Sequence, residues 1–432
     1  MYSVMNFRKV VLLLAIAQSA ASALLSAQSI SGDSSSQVEK KIPFTIEHAD
    51  HFFQRKSKQD SELFILEGNV EISRGESHIA CGSLTYFPAE RYILCLDSVF
   101  LSDPERRVRS DTLFYYLDRA YYRALGSLEW ATSGFRGTGL RGDYYRGEGR
   151  MVVEGEAAAE DSLREIKADK LEYDESSETL RATGNLRITD SESRSEAVAS
   201  SGLYQRKADL VTLYGRPKVN YYDKADTLFL KPYHLISDLL HSYGRDSLCA
   251  TGRVRLWDDS LTVTADSLFH NRIAGLSYFR GGGPQVEHQR YFLKGSLIDV
   301  ATRDRKLERI RAVNDARGEF YLDNKNVSAD SADRKPGESS WIEGDTLDLI
   351  FGPEGLDSIA AEGKARSYFR ETSKSGVNYL QGARILLIWQ AGDLARVEVE
   401  RGGRGLFLMP DTTGAKSVTP DSAGLKPVRG SP

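Results

Sequence analysis

The chain has 432 residues, of which 41% are hydrophobic and 27% charged, and its net charge is −4. This length allows a sizeable core, and the near balance of charges leaves no large basic field. Because neutralising a nucleic-acid backbone requires a clustered excess of Lys and Arg, the composition argues against nucleic acid as a partner.

The first residues have the pattern of an export signal. A short stretch with two basic residues, 6–9, precedes the apolar run 10–17, and small residues follow. Cleavage after Ala23 or Ala27 fits this pattern. An uncleaved membrane anchor is the alternative, although the apolar run is too short for a full span. We therefore expect residues 1–27 to be a signal peptide.

The composition divides the remainder of the chain into three parts. Residues 28–42 are Ser-rich and polar, which indicates a flexible leader, and residues 410–432 form a tail rich in Pro, Gly, Ser and Thr that we expect to be disordered. The folded part is then 43–409, with a possible break into two stacked halves near 323–340. Within it, only Tyr233 to Tyr243 has helix-like periodicity, and the other segments alternate as strands do.

A repeated glycine is the most informative feature of the folded part. A Gly followed by an alternating strand recurs, and Asp97 and Asn314 fill the same slot in two copies. The first five slots are 29 residues apart, and later spacings are longer, as loops in stacked repeats allow. The eleven slots are Gly68, Asp97, Gly126, Gly155, Gly184, Gly215, Gly252, Gly282, Asn314, Gly363 and Gly402.

A second signature lies between the glycines: a small residue, often Asp, then a polar residue and Leu, frequently with an aromatic residue two positions later. It occurs at Ser110-Asp111-Thr112-Leu113 and at Ala168-Asp169-Lys170-Leu171, among other places. Leu and the aromatic residue lie on the same side of a strand, so one face of each strand is apolar. Such units must stack to bury that face. We therefore predict an all-β fold, an elongated open β jelly roll or β-solenoid of about eleven repeated rungs, in which the glycines relieve the bends.

The repeats resemble those of the LptA/OstA family of lipopolysaccharide-transport proteins. The segment 168–174, followed by 179–188, is similar to the repeat of LptA and of the periplasmic domain of LptD, and 66–86 has the same form. The resemblance implies a periplasmic bridge between inner and outer membranes, with no enzymatic activity and no cofactor. Its partners would be lipopolysaccharide or a related glycolipid, and other Lpt-type proteins or a second copy joined through edge strands. The chain has more rungs than a short bridge protein and lacks the membrane-barrel strands of LptD.

In such a fold, the groove between the sheets would shelter acyl chains. Strand parity indicates which side chains face that groove, although each of them would equally suit a dry core. The candidates are Val70, Ile72, Leu84, Tyr86, Leu113, Tyr115, Leu171, Tyr173, Leu186, Ile188, Val254, Leu256, Leu268 and Leu347.

Other functions remain open at this stage. A structural or adhesive surface solenoid would explain the repeats, and a polysaccharide-acting β-helix enzyme would place paired carboxylates on one face. The sequence shows no catalytic motif and no metal-ligand spacing. Cys81 and Cys95 flank a turn-like segment and either form a disulfide or are buried thiols, while Cys249 stands apart.

Overall fold

The structure is a computed structural model that describes most of the folded part. The described residues are 44–56, 62–222, 232–244, 246–259, 261–288, 291–303, 306–320, 339–353, 355–370, 376–390 and 393–408. The predicted signal peptide, leader and tail, and most of the segment 323–340, lie outside them.

The described residues form 28 β-strands and one 3-10 helix, Arg206–Ala208. The first nine strands are β1 Thr45–His48, β2 His51–Lys56, β3 Glu62–Arg74, β4 Ser77–Phe87, β5 Tyr92–Ser102, β6 Arg107–Tyr116, β7 Tyr121–Ala131, β8 Arg136–Tyr145 and β9 Arg150–Glu160. The next nine are β10 Arg164–Asp174, β11 Thr179–Asp190, β12 Ser195–Gln205, β13 Leu210–Tyr214, β14 Lys218–Tyr222, β15 Pro232–Ile236, β16 Leu239–Tyr243, β17 Ser247–Trp257 and β18 Leu261–Asn271. The last ten are β19 Leu276–Arg280, β20 Gln285–His288, β21 Tyr291–Lys294, β22 Leu297–Arg303, β23 Lys306–Phe320, β24 Ser340–Gly352, β25 Gly355–Arg370, β26 Val377–Gln390, β27 Asp393–Glu400 and β28 Arg404–Leu408.

The strands pair in chain order, and every pairing among them is antiparallel. Six neighbouring pairs, such as β13 and β14, are the two halves of one interrupted strand, because both halves pair with the same partner strand. When each of these six pairs is counted as one strand, the 28 strands form 22 layers. Two successive layers make one out-and-back repeat, so there are eleven repeats. The prediction of an all-β jelly roll of about eleven repeats is confirmed, whereas a parallel β-helix does not fit the antiparallel pairing. Within the described ranges, no helix has the length and apolarity to cross a membrane.

Each long strand is broken near its middle by a bulge, and the eleven predicted slots lie at these bulges. Every slot residue has a positive φ, from 60° at Asn314 to 94° at Gly126. Only Gly adopts this backbone region freely, and Asn and Asp tolerate it better than other residues. This explains why Asp97 and Asn314 could replace Gly in two copies. We call these bulges corners, because the sheet changes direction there.

The Asp of the second signature faces the corner glycine of the neighbouring strand. Asp111 accepts a hydrogen bond from the backbone N–H of Ser127, next to Gly126, at 2.9 Å. Asp169 has the same position beside Gly184. The two sequence signatures interleave because they form the two sides of one corner.

The prediction of a helix-like segment at Tyr233 to Tyr243 is wrong. The segment forms β15 and β16, the two halves of one strand, with Asp238 at the corner. Leu235 and Leu240 are both buried. The corner shifts the strand parity between these two residues, so the apolar residues 235, 236, 239 and 240 are separated by spacings of three and four, as in a helix.

The corners divide the sheet into two arms. Arm A contains the first half of β10, 164–168, and its neighbours in register, whereas arm B contains the second half, 170–174, and its neighbours. In both arms the buried side chains lie on the same face, and they join into one apolar core that extends from Leu66 to Leu387. The arms therefore pack against each other across a continuous apolar interior.

Candidate functional site

The fourteen predicted groove residues all face the interior. Twelve of them are buried, and the other two, Tyr86 and Leu256, are partly buried and packed against the core. Leu171 and Tyr173 illustrate the parity, since both are buried while Glu172 between them is partly exposed. The inward orientation predicted from strand parity is confirmed, and lipid contact at these positions stays a prediction.

The interior is closed, on the side away from the corners, by contacts between the turns of the two arms. The relevant turns of arm A are 103–106, 132–135 and 161–163, and those of arm B are 146–149, 175–178 and 206–209. Side chains in or next to arm A turns reach the inner edge of arm B at several places, of which four lie in the described residues between 74 and 209: Arg74, Arg106, Phe135 and Arg164. We call each such contact a clasp and name it by its arm A residue.

The Arg106 clasp is an ion-pair network. The Arg106 guanidinium lies 2.9 Å from Asp103 and 3.3 Å from Glu175 of arm B, and its Cζ is 4.1 Å from the ring centroid of Tyr144. The Tyr144 hydroxyl donates a hydrogen bond to Glu175 at 3.0 Å. The Arg106 side chain is only 11% exposed. Since the buried Asp103 carboxylate and the partly exposed Glu175 carboxylate share this cation, the clasp joins the arms by charge as well as by packing.

The Arg164 clasp repeats this arrangement. Arg164 pairs with Asp190 of arm A at 3.0 Å and with Asp209 of arm B, and its Cζ lies 4.9 Å from the ring centroid of Tyr204. The Tyr204 hydroxyl donates a hydrogen bond to Asp161 at 2.9 Å. Burial, together with this carboxylate, raises the pKa of Tyr204 to about 12. Tyr204 therefore remains a neutral donor at physiological pH.

The other two clasps use aromatic rings. Phe135 meets Tyr173 edge-on at 5.2 Å between centroids and Tyr204 at 6.0 Å. Arg74 donates a hydrogen bond to the hydroxyl of Tyr115 at 2.6 Å. A tyrosine of arm B thus takes part in each of the four clasps.

Sequence reasoning missed these clasps, although a signal was present. Asp103 and Arg106 form an Asp-x-x-Arg pattern that ends five residues before the signature residue Asp111, and Asp161 and Arg164 repeat it before Asp169. Of the arm B tyrosines in the clasps, Tyr115 and Tyr173 were predicted as groove residues, whereas Tyr144 and Tyr204 were not. A search for polar motifs at multiples of the 29-residue period would have found the pattern, since its two copies are 58 residues apart.

The cysteines show no disulfide. Cys81, Cys95 and Cys249 are free thiols, and the first two are buried. A hydrogen bond from the Cys95 thiol, the largest effect, lowers the pKa of Cys81, so the two sulfur atoms are neighbours. In the part of the chain that the structure describes, no group of three or more His, Cys, Asp and Glu side chains could hold a metal ion.

Comparison with known proteins finds a family that the N-terminal repeats resemble. Residues 48–179 match the model of the family described as LptA/(LptD N-terminal domain) LPS transport protein. We call residues 48–179 the LptA-type domain, because they are similar to this family. The resemblance predicted from the repeats is therefore confirmed over this range. Eight of the fourteen predicted groove residues lie within the LptA-type domain, and the other six continue its pattern beyond residue 179.

Comparisons with solved structures and with curated proteins show only a distant similarity or none. A crystal structure of LptH from Pseudomonas aeruginosa, described as the LptA homologous periplasmic component of the conserved lipopolysaccharide transport device, is 16% identical to this chain. The match covers 37% of this chain and 90% of LptH, with a TM-score of 0.25. No curated protein matches the chain.

Proposed function

We propose that the protein is a periplasmic bridge that shields the acyl chains of lipopolysaccharide on their way to the outer membrane. The similarity of the LptA-type domain to lipopolysaccharide-transport proteins supports a role in that transport, and the continuous apolar interior is the observation that supports shielding. Transfer of an acyl chain from water into such an interior is favourable by about 0.8 kcal/mol per CH₂ group. The function is one of binding and transport rather than catalysis.

Export and assembly complete this proposal. The signal-like segment 1–27 would direct the chain to the periplasm. At one end of the stack, β27 and β28 pair with β26 only, and at the other end β1 and β2 pair with β3 only, among the described strands. Such edges are templates for strand addition. We propose that further Lpt-type proteins, or a second copy of this chain, join there.

A structural solenoid without lipid cargo is the competing function. The observation that favours it is the dense packing of the interior, where residues such as Leu113 and Ile166 are 1% exposed. The two functions differ in one respect: only a transport bridge has to separate its arms to admit an acyl chain.

Binding of intact and deacylated lipopolysaccharide tests the proposal. The full chain is purified, and binding to lipopolysaccharide and to its fully deacylated form is measured by co-elution in size-exclusion chromatography. The proposal expects the intact form to co-elute and the deacylated form to elute alone. Binding of both forms would indicate recognition of the polysaccharide, and binding of neither would support the structural solenoid.

A further inference from the structure

A small apolar cavity lies directly beneath the Arg106 clasp. It has a volume of about 30 Å³, and its lining includes Leu113, Leu128, Trp130, Met151, Arg106 and Tyr144. A space of this size accommodates about one or two water molecules. An acyl chain could enter only if the arms separated at the clasp.

Trp130 in the cavity wall has an unused hydrogen-bond donor. The residue is 3% exposed, and its indole Nε1 has no partner among the described residues. Buried Trp N–H groups usually find an acceptor, and leaving one unpaired costs free energy. An acceptor supplied by a ligand, such as an ester or amide carbonyl at the head of an acyl chain, would satisfy this donor.

The Arg106 clasp is suited to exchange one anion for another. Glu175 is held between Arg106 and the Tyr144 hydroxyl. Burial raises the pKa of Glu175 even though Arg106 opposes that rise, so its charged form is imperfectly stabilised. A phosphate offers more acceptor oxygens than a carboxylate and matches the planar guanidinium equally well. An incoming phosphate could therefore replace Glu175 on Arg106.

The neighbouring clasps differ in ways that single out Arg106. The Arg164 clasp has the same charges, since Arg164 also pairs with one carboxylate from each arm, Asp190 and Asp209. The Phe135 clasp carries no charge. What distinguishes the Arg106 clasp is the apolar cavity beside it, with the unpaired donor of Trp130 in the cavity wall.

We propose that the Arg106 clasp is a gated binding site for one acyl chain of a phosphorylated glycolipid of the lipid A type. The phosphate replaces Glu175 at Arg106, the acyl carbonyl accepts the Trp130 N–H, and the chain enters the interior over Leu128 and Met151 as the arms separate. This inference rests on the proposed function and gives it a specific point of entry.

Three variants with matched controls test the gate, each in the full chain. The probes are lipid A carrying its phosphates and dephosphorylated lipid A, and dissociation constants are measured by displacement of a fluorescent lipid. Trp130→Phe removes the donor together with part of the ring, and Trp257→Phe, which makes the same change in a partly exposed tryptophan, is its control. Glu175→Gln removes the carboxylate charge that pairs with Arg106 from arm B. Its control is Glu105→Gln, because Glu105 is 75% exposed and 3.9 Å from Arg106. Arg106→Gln removes the cation.

The expected pattern separates the gate from the proposed function. Trp130→Phe weakens binding of both probes by about tenfold, since one hydrogen bond is lost. Glu175→Gln tightens binding of the phosphorylated probe several-fold, because the phosphate no longer competes with a carboxylate for Arg106. Arg106→Gln weakens binding of the phosphorylated probe only. Thermal unfolding measured by circular dichroism verifies that each variant is folded. If the unmodified protein binds neither probe, the proposed function fails. If it binds lipid A and the three variants bind as it does, the gate alone is overturned.

Discussion

The side-chain amide of Asn185 donates hydrogen bonds to both carboxylate oxygens of Asp169, at 2.9 and 3.1 Å, across the corner that follows Gly184. Gly184 and Asn185 both have positive φ, of 78° and 46°. The corner is therefore held by one residue that adopts the bend and a carboxylate that anchors it. The same pairing of Gly with Asp recurs at Gly252 with Asp238.

Replacing a corner glycine should destabilise the fold. Gly184→Ala forces a Cβ into a left-handed backbone and into overlap with the Asp169 carboxylate. We expect a loss of about 2 kcal/mol or more in the free energy of unfolding, measured by urea denaturation of the full chain. The control is Gly147→Ala, in an open turn with no atom near the added Cβ, which should change stability by less than about 0.5 kcal/mol. Equal effects of the two substitutions would contradict the role of the corner.

The carboxylate of Asp143 on the outer face of arm B should contribute stability that depends on pH. Burial alone would raise its pKa, but hydrogen bonds from Tyr121, Arg123 and Arg141 outweigh that effect and lower it. A lowered pKa means that the contribution is full above the unfolded-state value of about 3.9 and is lost as pH falls toward the folded-state pKa.

The substitution Asp143→Asn tests this assignment. We expect the substitution to lower the free energy of unfolding by about 1–3 kcal/mol at pH 7. The difference in stability between the variant and the unmodified protein should shrink as the pH falls below about 4. Thermal unfolding between pH 3 and 7 measures both. The control is Asp118→Asn, since Asp118 is 55% exposed in its ion pair with Arg91. A constant difference across that pH range would show that the Asp143 carboxylate does not supply the effect.

The C-terminal edge strand should mediate self-association. Leu406, Phe407 and Leu408 of β28 are 41–54% exposed. A lysine on an edge strand opposes pairing with another chain, so Phe407→Lys should lower the fraction of dimer and higher species in sedimentation velocity at least several-fold. Ile273→Lys is the control for loss of exposed apolar surface, because Ile273 is 78% exposed in a turn. If both variants associate equally, β28 is not the interface.

Local patterns were sufficient to predict much of the fold. The period of 29 residues, the slot residues and the alternation of Leu171 with Tyr173 depend on neighbours within one strand or one corner, so the sequence displays them directly. The segment containing Asp238 was misread because its halves are short. The triplet Ser237-Asp238-Leu239, followed by Leu240, nevertheless resembles the second signature, with Leu239 at its usually polar position.

The clasps could not be predicted in the same way. Arg106 and Glu175 are 69 residues apart, and their contact depends on how the layers of one arm are offset from those of the other. A repeat pattern states which residues face inward but leaves that offset open. The same limit applies to Trp130, whose unpaired donor becomes visible only when all its neighbours are in place.

Photocrosslinking at Tyr173 tests most directly whether the interior carries lipid. A photoreactive residue replaces Tyr173, which is 2% exposed and faces the interior, and in the control it replaces Glu172, whose side chain is 34% exposed. Both variants are irradiated in envelope vesicles that contain lipopolysaccharide. Shielding of acyl chains predicts a lipopolysaccharide adduct at Tyr173 and none at Glu172. Absence of an adduct at Tyr173, and likewise at Leu84 and Leu268 in folded protein, would contradict transport and indicate a dry structural core.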